Sequence, residues 1–405
     1  MASLRYRIKK ILFPGVLCLL VSFLLTLAVF SLIYSPEYVF RVVRWGDSDV
    51  SDYRKFPARN FGPVPHPFYF LKKPEEGRVS SLFQNFLKID NFDKFLSEQR
   101  TQAFLVIQND VLLYEKYFHG CARESLVTSF STSKSFTSAL IGIAVSEGHI
   151  QSVRDPITKY LPELSRRNPG FSDITIRHLL MMSAGLHYDE YPFFTSDGAR
   201  TYYDPNLRRL ALEDTKIIDL PGKYFLYNNY HPLLLGLILE RATQRKVADY
   251  LGKKIWDRIG MEFEGSWSLD SRSSGFEKME SGINARAIDF AKFGRLFLRK
   301  GNWEGTQVIP ASWVEESIQE DASLNRENYY PKKGVLGVLK NGYYKYMWWG
   351  ISRGGDQFDF FAMGNHGQFI YVSPHKNLII VRNGESFGKS RMQWINGFRA
   401  FAEAL

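Results

Sequence analysis

Ser131-Thr132-Ser133-Lys134-Ser135-Phe136-Thr137-Ser138-Ala139-Leu140-Ile141-Gly142-Ile143-Ala144-Val145 is the stretch that decides how this chain is read. From Thr132 the apolar positions Phe136, Leu140, Ile143, Ala144 and Val145 recur at helical spacing and end near Gly148. This predicts a helix with Ser131 at its N-terminal edge. The hydroxyl then lies at the positive end of the helix dipole, and residues three apart share a face, so the Lys134 amine can sit beside it. A serine hydroxyl is a weak nucleophile at neutral pH, and a desolvated lysine of lowered pKa is a base that can activate it. Taken alone, the tetrapeptide is equally a capped helix start with a solvated lysine.

Working outward, the strand-like runs Phe104 to Ile107 and Val111 to Phe118 flank Asn109 and Asp110 and read as a hairpin just before this helix. Residues from about Asp155 to Gly265 carry helical segments such as Ile174 to Met182 and Pro232 to Thr243, broken by Gly and Pro, and read as a mostly helical lobe. Helical spacing returns at Ala285 to Leu298, followed by strand-like runs at Tyr346 to Ile351, Gln368 to Val372 and Leu378 to Arg382. Strands at both ends with helices between them predict an α/β fold, an antiparallel sheet flanked by helices plus a helical lobe, with the C-terminus completing the sheet.

The N-terminus differs in kind. Arg5, Arg7, Lys9 and Lys10 precede an uncharged apolar run from Ile11 to Tyr34, long enough to cross a bilayer as a helix. The run ends in Phe30, Leu32, Ile33 and Tyr34 rather than in a small-x-small cleavage site, so a retained transmembrane anchor is expected. The expected organisation is a basic cytoplasmic flank at 1–10, an anchor at 11–34, a linker or extension at 35–83 and the main domain, which contains Ser131 and Lys134, at 84–405. By the positive-inside rule the chain is a single-pass membrane protein with that domain on the extracytoplasmic side, although Arg41 and Arg44 lie just beyond the run.

The 405 residues are 45% hydrophobic with 17 prolines, an ordinary globular composition. The net charge of +10 owes four charges to the basic flank, and the other Lys and Arg are interspersed with acids. That pattern reads as a solvated surface; no zinc-type spacing, P-loop or basic repeat speaks for nucleic acid, so none is expected as a partner. Cys18 lies in the anchor and Cys121 stands alone in the domain, which leaves no intradomain disulfide.

Two further elements carry chemistry. Tyr227-Asn228-Asn229 follows Pro221-Gly222: a tyrosine hydroxyl beside an amine can relay a proton, and an Asn amide can bind a carbonyl. Gly364-Asn365-His366-Gly367-Gln368 directly precedes the run Phe369 to Val372, where glycines permit close backbone approach and an edge amide can serve an oxyanion. Each element alone is also a loop, a turn or a bulge.

In order, Ser-x-x-Lys, Tyr-x-Asn and a glycine-containing motif by a C-terminal strand resemble the triple signature of serine β-lactamases and penicillin-binding proteins. The Tyr-x-Asn form is similar to the class C branch, shared with D-alanyl-D-alanine carboxypeptidases, related esterases and 6-aminohexanoate-oligomer hydrolases. The segments Ile174 to Leu180 with Ser183-Ala184-Gly185-Leu186, Pro221 to Ile238, Gly282 to Phe290 and Pro310 to Val314 extend the resemblance from about Gln84 to the C-terminus.

The resemblance implies a β-lactamase/transpeptidase-like fold and a serine hydrolase cleaving an ester or amide of a small-molecule or peptide acyl substrate. Ser131 attacks, Lys134 and Tyr227 shuttle the proton, Asn229 orients the substrate or Lys134, and the amides of Ser131 and Gln368 stabilise the oxyanion. Aligning on Gly367 places Asn365 and His366 where relatives carry Lys-Thr or His-Thr, with one register earlier or later left open. The resemblance makes His178 structural. No metal or organic cofactor is implied. A neutral third motif favours uncharged acyl groups over β-lactams, unless Arg353 or Arg382 supplies a cation. A noncatalytic acyl-accepting receptor or scaffold on the same fold is the competing reading, and the intact Ser131, Lys134 and Tyr227 speak for turnover.

Overall fold

A computed structural model describes residues 2–62 and 64–405, with side chains from residue 16 onward. The side chains of Arg5, Arg7, Lys9 and Lys10 lie outside the described residues. Asn109 and Asp110 take positive φ values of 52° and 63°, the left-handed pair that a two-residue hairpin turn requires. Strand β1 (Thr101–Gln108) therefore folds directly back onto β2 (Val111–Tyr117), with Gln108 opposite Val111.

The C-terminal part adds β3 (Gly342–Lys345), β4 (Trp348–Gly354), β5 (Gln357–Gly364), β6 (Gln368–Ser373) and β7 (Leu378–Gly384). They form an eight-stranded sheet in the order β3-β4-β5-β6-β7-β1-β2, closed at its edge by Leu71–Lys72, which pairs parallel to β2 while every other pairing is antiparallel. The expected antiparallel sheet is present, but β5 escapes a sequence reading. Gln357 to Phe360 alternate polar and apolar, but Phe360 to Gly364 form a continuous run without polar residues, because helices cover both faces of the central strands and nothing there needs to face water.

Helix α1 (Ala2–Tyr34) contains the apolar stretch Val16–Tyr34 and is the one helix long and apolar enough to cross a membrane among the described residues. After Ser35, whose hydroxyl accepts from the Tyr38 N–H, helix α2 (Pro36–Trp45) begins at once. The following chain is built into the body: Ala58–Phe61 pairs with Gly265–Ser268 in a four-stranded sheet that continues through Ile283–Ala285 to Val127–Thr128.

Helix α3 (Ser133–Ser146) is the predicted helix, and every residue from Ser133 to Ala144 is buried. Phe136 stacks on Phe293 at 3.6 Å, and Gly142 lies under the Trp313 ring, where a Cβ would come within 2.4 Å. Truncating a ring so placed costs about 3–5 kcal/mol. Between Thr128 and Gly265 the described residues include no strand; this helical lobe contains α4 (Asp197–Tyr203) and α5 (Tyr230–Thr243).

Helix α6 (Ala287–Leu298) packs on one face of the large sheet, where Gly294 closes on Ile370 and Ile379. On the other face, α7 (Arg391–Ala404) brings Phe398 and Phe401 against Phe104 and Phe83. The N-terminal end of α3, with Ser131 in the turn before it, thus emerges where the large sheet, the small sheet and the helical lobe meet.

Candidate active site

Ser131 sits in a short helical turn, Phe130–Thr132, leading into α3. Ser129 anchors this turn to the small sheet: its N–H donates to the Ile283 carbonyl at 2.7 Å and its hydroxyl accepts from the Ile283 N–H at 3.0 Å. Phe130, immediately before Ser131, has φ 43°, a left-handed conformation that costs a bulky residue energy and lifts the next side chain out of the helix line.

Lys134, only 1% exposed, donates to the Ser131 hydroxyl at 2.9 Å and to the Glu280 carbonyl at 2.8 Å. Burial pulls its amine from 10.5 down to about 7, against the opposing field of the Glu280 carboxylate. Near neutral pH the amine is therefore divided between its charged and neutral forms, and the neutral form can take the serine proton.

The Tyr227 ring lies 5.1 Å from the Lys134 nitrogen and is clamped by Trp349 at 5.6 Å and Tyr344 at 6.0 Å. Burial drives its phenol well above the ordinary value, and the nearby Ser131 hydroxyl acts in the opposite direction. The group is a phenol at neutral pH, suited to passing a proton rather than to acting as a standing phenolate.

The third expected element needs correcting. Gly367 and Gln368 do not face Ser131. A Cβ on Gly367 would meet the Arg382 guanidinium at 2.0 Å, and its carbonyl accepts from Arg382 at 2.8 Å. The buried Gln368 amide donates to the Gly384 carbonyl at 2.6 Å and accepts from Asn383. Gln368 pairs with Gly364 across β5 and β6, one strand further out. Gly364 is the residue that abuts the nucleophile, since a Cβ there would lie 2.4 Å from the Ser129 carbonyl oxygen and 3.1 Å from the Ser131 nitrogen. The register moves to the end of β5 because that strand, not β6, borders the cleft.

His366, with φ 60°, turns its ring onto Phe130 at 4.8 Å. Its Nδ1 lies 3.1 Å from the Glu385 carbonyl, which can only accept, so Nδ1 carries the proton and Nε2 faces the Ser48 hydroxyl at 3.4 Å. Ser48 also accepts from the Asn365 amide at 3.2 Å.

Asn229 does not reach Lys134. Its amide donates to the Tyr188 hydroxyl at 2.8 Å and to Thr201 at 3.3 Å, tying the Tyr227 motif to α4. The buried Asn228 holds the carbonyls of Leu186 and His187. His178 is structural as expected, its Nδ1 accepting from the Thr175 N–H in a capping box. Arg382 is spent on carbonyls of Gly367, Gln99 and Ser386, and Arg353 on Asp359 and Glu403, so neither is free to bind a ligand at the cleft.

Sequence reasoning missed Glu280, Ser48 and Arg391, whose positive field reaches Tyr227. Gly364 stands within the third motif read from the sequence, as a glycine at a strand end, but that reading gives it no contact with Ser131. His187, Asp189 and Asp197 have ligand atoms within 4.8 Å of one another. Asp197 already accepts from Tyr230 at 2.8 Å and from the Asp189 N–H at 3.2 Å, so this group knits its loop together.

The Beta-lactamase family model matches residues 90–392. A 6-aminohexanoate-dimer hydrolase of Paenarthrobacter ureafaciens is 26% identical over 305 residues, covering 73% of this chain and 75% of that protein. Among solved structures, a putative 6-aminohexanoate-dimer hydrolase from Bacillus anthracis superposes with a TM-score of 0.74 at 24% identity, covering 89% of this chain and 94% of that one. A class C beta-lactamase superposes at 0.58 with 14% identity, covering 82% and 97%. With the family match running from just before the N-terminal hairpin to the start of α7, well over half of the chain, this chain belongs to the Beta-lactamase family and is a serine hydrolase of that family.

Proposed function

We propose that this protein is a membrane-anchored hydrolase that cleaves an ester or amide through an acyl-enzyme on Ser131. The observation that carries the reading is the 2.9 Å contact between the Ser131 hydroxyl and a buried Lys134 amine whose pKa is about 7. Neutral Lys134 takes the hydroxyl proton as Ser131 attacks the acyl carbon, and Tyr227 passes a proton to the leaving group. The Ser131 amide and the main chain just past Gly364, at Asn365, bind the developing oxyanion. Water then enters, Lys134 again acts as base, and the acid product leaves.

Uncharged acyl groups are the favoured substrates, since the two residues before Gly364 at the cleft, Ala362 and Met363, supply no fixed cation to hold a ligand carboxylate. Relatives named as 6-aminohexanoate-dimer hydrolases make an amide a natural first substrate to test. The apolar stretch Val16–Tyr34 serves as a transmembrane anchor, with the catalytic body on the extracytoplasmic side. Fluorophosphonate labelling of the full-length protein tests the reading: the label should map to Ser131 and be competed by acyl ester. Absence of labelling with the fold intact contradicts it.

A further inference from the structure

On α1, Leu27, Phe30, Ser31 and Tyr34 are half-buried while the rest of Val16–Ile33 is exposed. This is a single helical stripe facing the body. Leu27, Phe30 and Tyr34 pack on a cluster of Tyr38, Val39, Val42, Phe56, Ala199 and Tyr203, flanked by Phe193. Tyr34 lies 5.5 Å from Tyr38 and under the Arg200 guanidinium at 5.6 Å, and Tyr38 donates to the Phe194 carbonyl at 2.8 Å. Leu27 is seven residues from Tyr34, roughly 10 Å along a helix rising about 1.5 Å per residue. The body therefore does not hang below the apolar helix on a free tether. It grips the last two turns of the apolar stretch.

The residues beside this grip are apolar and uncovered. Tyr191 is 82% and Phe194 53% exposed, in the turn before α4, and Phe40 is 60% exposed on the face of α2 turned away from the cluster. Val43 and Arg44 share that outer face with Glu37, whose carboxylate pairs with Arg41, so α2 buries one stripe in the body and presents Phe40 and Val43 outward beside the Arg44 guanidinium. A large exposed apolar patch on a water-soluble surface is unfavourable, whereas aromatic rings with an adjacent Arg suit the headgroup layer.

We propose that the turn Tyr191–Thr195 and the outer face of α2 form a membrane-seating surface, with Tyr191, Phe194 and Phe40 entering the headgroup layer of the bilayer that α1 spans. The proposal rests on the reading of α1 as a transmembrane anchor. Both edges of the surface lead into the cleft: Tyr188, three residues before Tyr191, holds Asn229, and Ser48, three residues past α2, holds Asn365. The catalytic cleft is thereby held at the lipid surface in a fixed orientation.

The test uses the full chain with Cys18→Ser and Cys121→Ser, reconstituted in vesicles of phosphatidylcholine and phosphatidylglycerol. One nitroxide is placed in turn at Leu25, Phe40, Tyr191 and Phe194, each labelled protein keeping the unlabelled melting temperature. Collision with oxygen, which partitions into lipid, is compared with collision with a water-soluble nickel complex. Oxygen should dominate at 25, 40, 191 and 194, most strongly at 25. A lipid value at 25 with aqueous values at 40, 191 and 194 overturns the seating surface and leaves the anchor standing. An aqueous value at 25 removes the anchor and the proposal with it.

Discussion

The Ser131 hydroxyl accepts a 2.9 Å hydrogen bond from the Lys134 amine, and the same nitrogen is fixed from behind by the Glu280 carbonyl at 2.8 Å. Lys134 is thus pinned between the nucleophile and a main-chain acceptor, and burial sets its proton affinity near neutrality.

The pH dependence follows directly. The working base is neutral Lys134, so kcat/KM should rise with pH through about 7 and level off above it. A profile flat across this range contradicts Lys134 as the base. Lys134→Met should lose roughly 100- to 10,000-fold in kcat. Stability moves in the same direction over a higher window: between about 7 and 10.5 the unfolded chain binds a proton at Lys134 that the folded chain does not, so this group's contribution to stability rises with pH over that window. Denaturant midpoints of the parent relative to Lys134→Met should improve across it.

Glu280→Gln should move the inflection of the pH–rate profile to lower pH, because the carboxylate is the charge that raises the Lys134 pKa. The same change strands the buried Lys278 ammonium, whose partner is Glu280 at 2.9 Å, and breaking a buried pair costs about 3–5 kcal/mol. A lowered melting temperature with an unmoved inflection would show Glu280 to be a packing residue only. The Lys278→Met/Glu280→Gln double variant should recover stability while keeping the shifted profile.

Gly364 and Gly367 should fail differently. Gly364→Ala pushes a methyl to 2.4 Å from the Ser129 main-chain oxygen, so it should lower the melting temperature and, in the protein that still folds, also lower kcat by about 100-fold, since small misplacements at the reacting atoms are costly. Gly367→Ala, at φ 82° and 2.0 Å from Arg382, should chiefly destabilise the fold. Equal loss of activity at both, with melting unchanged, would restore the cleft edge to Gln368.

Arg391 is the cation whose field reaches Tyr227. If it receives a carboxylate, Arg391→Ala should cut kcat/KM for carboxylate-bearing acyl substrates about tenfold or more and leave neutral esters unchanged, as loss of one charge-assisted hydrogen bond does. Equal rates on both substrates before and after the change would remove it from substrate binding.

Much of this arrangement is written in local pattern. Ser131 and Lys134 are one helical turn apart, and helical periodicity from Thr132 placed them on a shared face before any coordinates. Asn109 and Asp110 declared the hairpin through their tolerance of positive φ. What stayed hidden comes from afar or from the main chain. The Glu280 carbonyl lies 146 residues from Lys134, and a backbone acceptor leaves no mark on residue type. Ser48 meets Asn365 across 317 residues of chain. The third motif reads one strand too far because the half of β5 that reaches the cleft, Phe360 to Gly364, is buried on both faces and lacks the alternation by which strands are read. Asn229, expected to orient the substrate or Lys134, has its amide occupied by Tyr188 and Thr201, partners that no local pattern connects to it.

The central claim is a covalent acyl intermediate on Ser131, and rapid acid quench of the full-length protein during turnover of an activated acyl ester, followed by peptide mass mapping, tests it most directly. The account predicts one acyl mass added to the peptide containing Ser131, decaying as substrate is exhausted, and neither adduct nor hydrolysis in a folded Ser131→Ala variant. An adduct on another residue, or undiminished hydrolysis by Ser131→Ala, would contradict it.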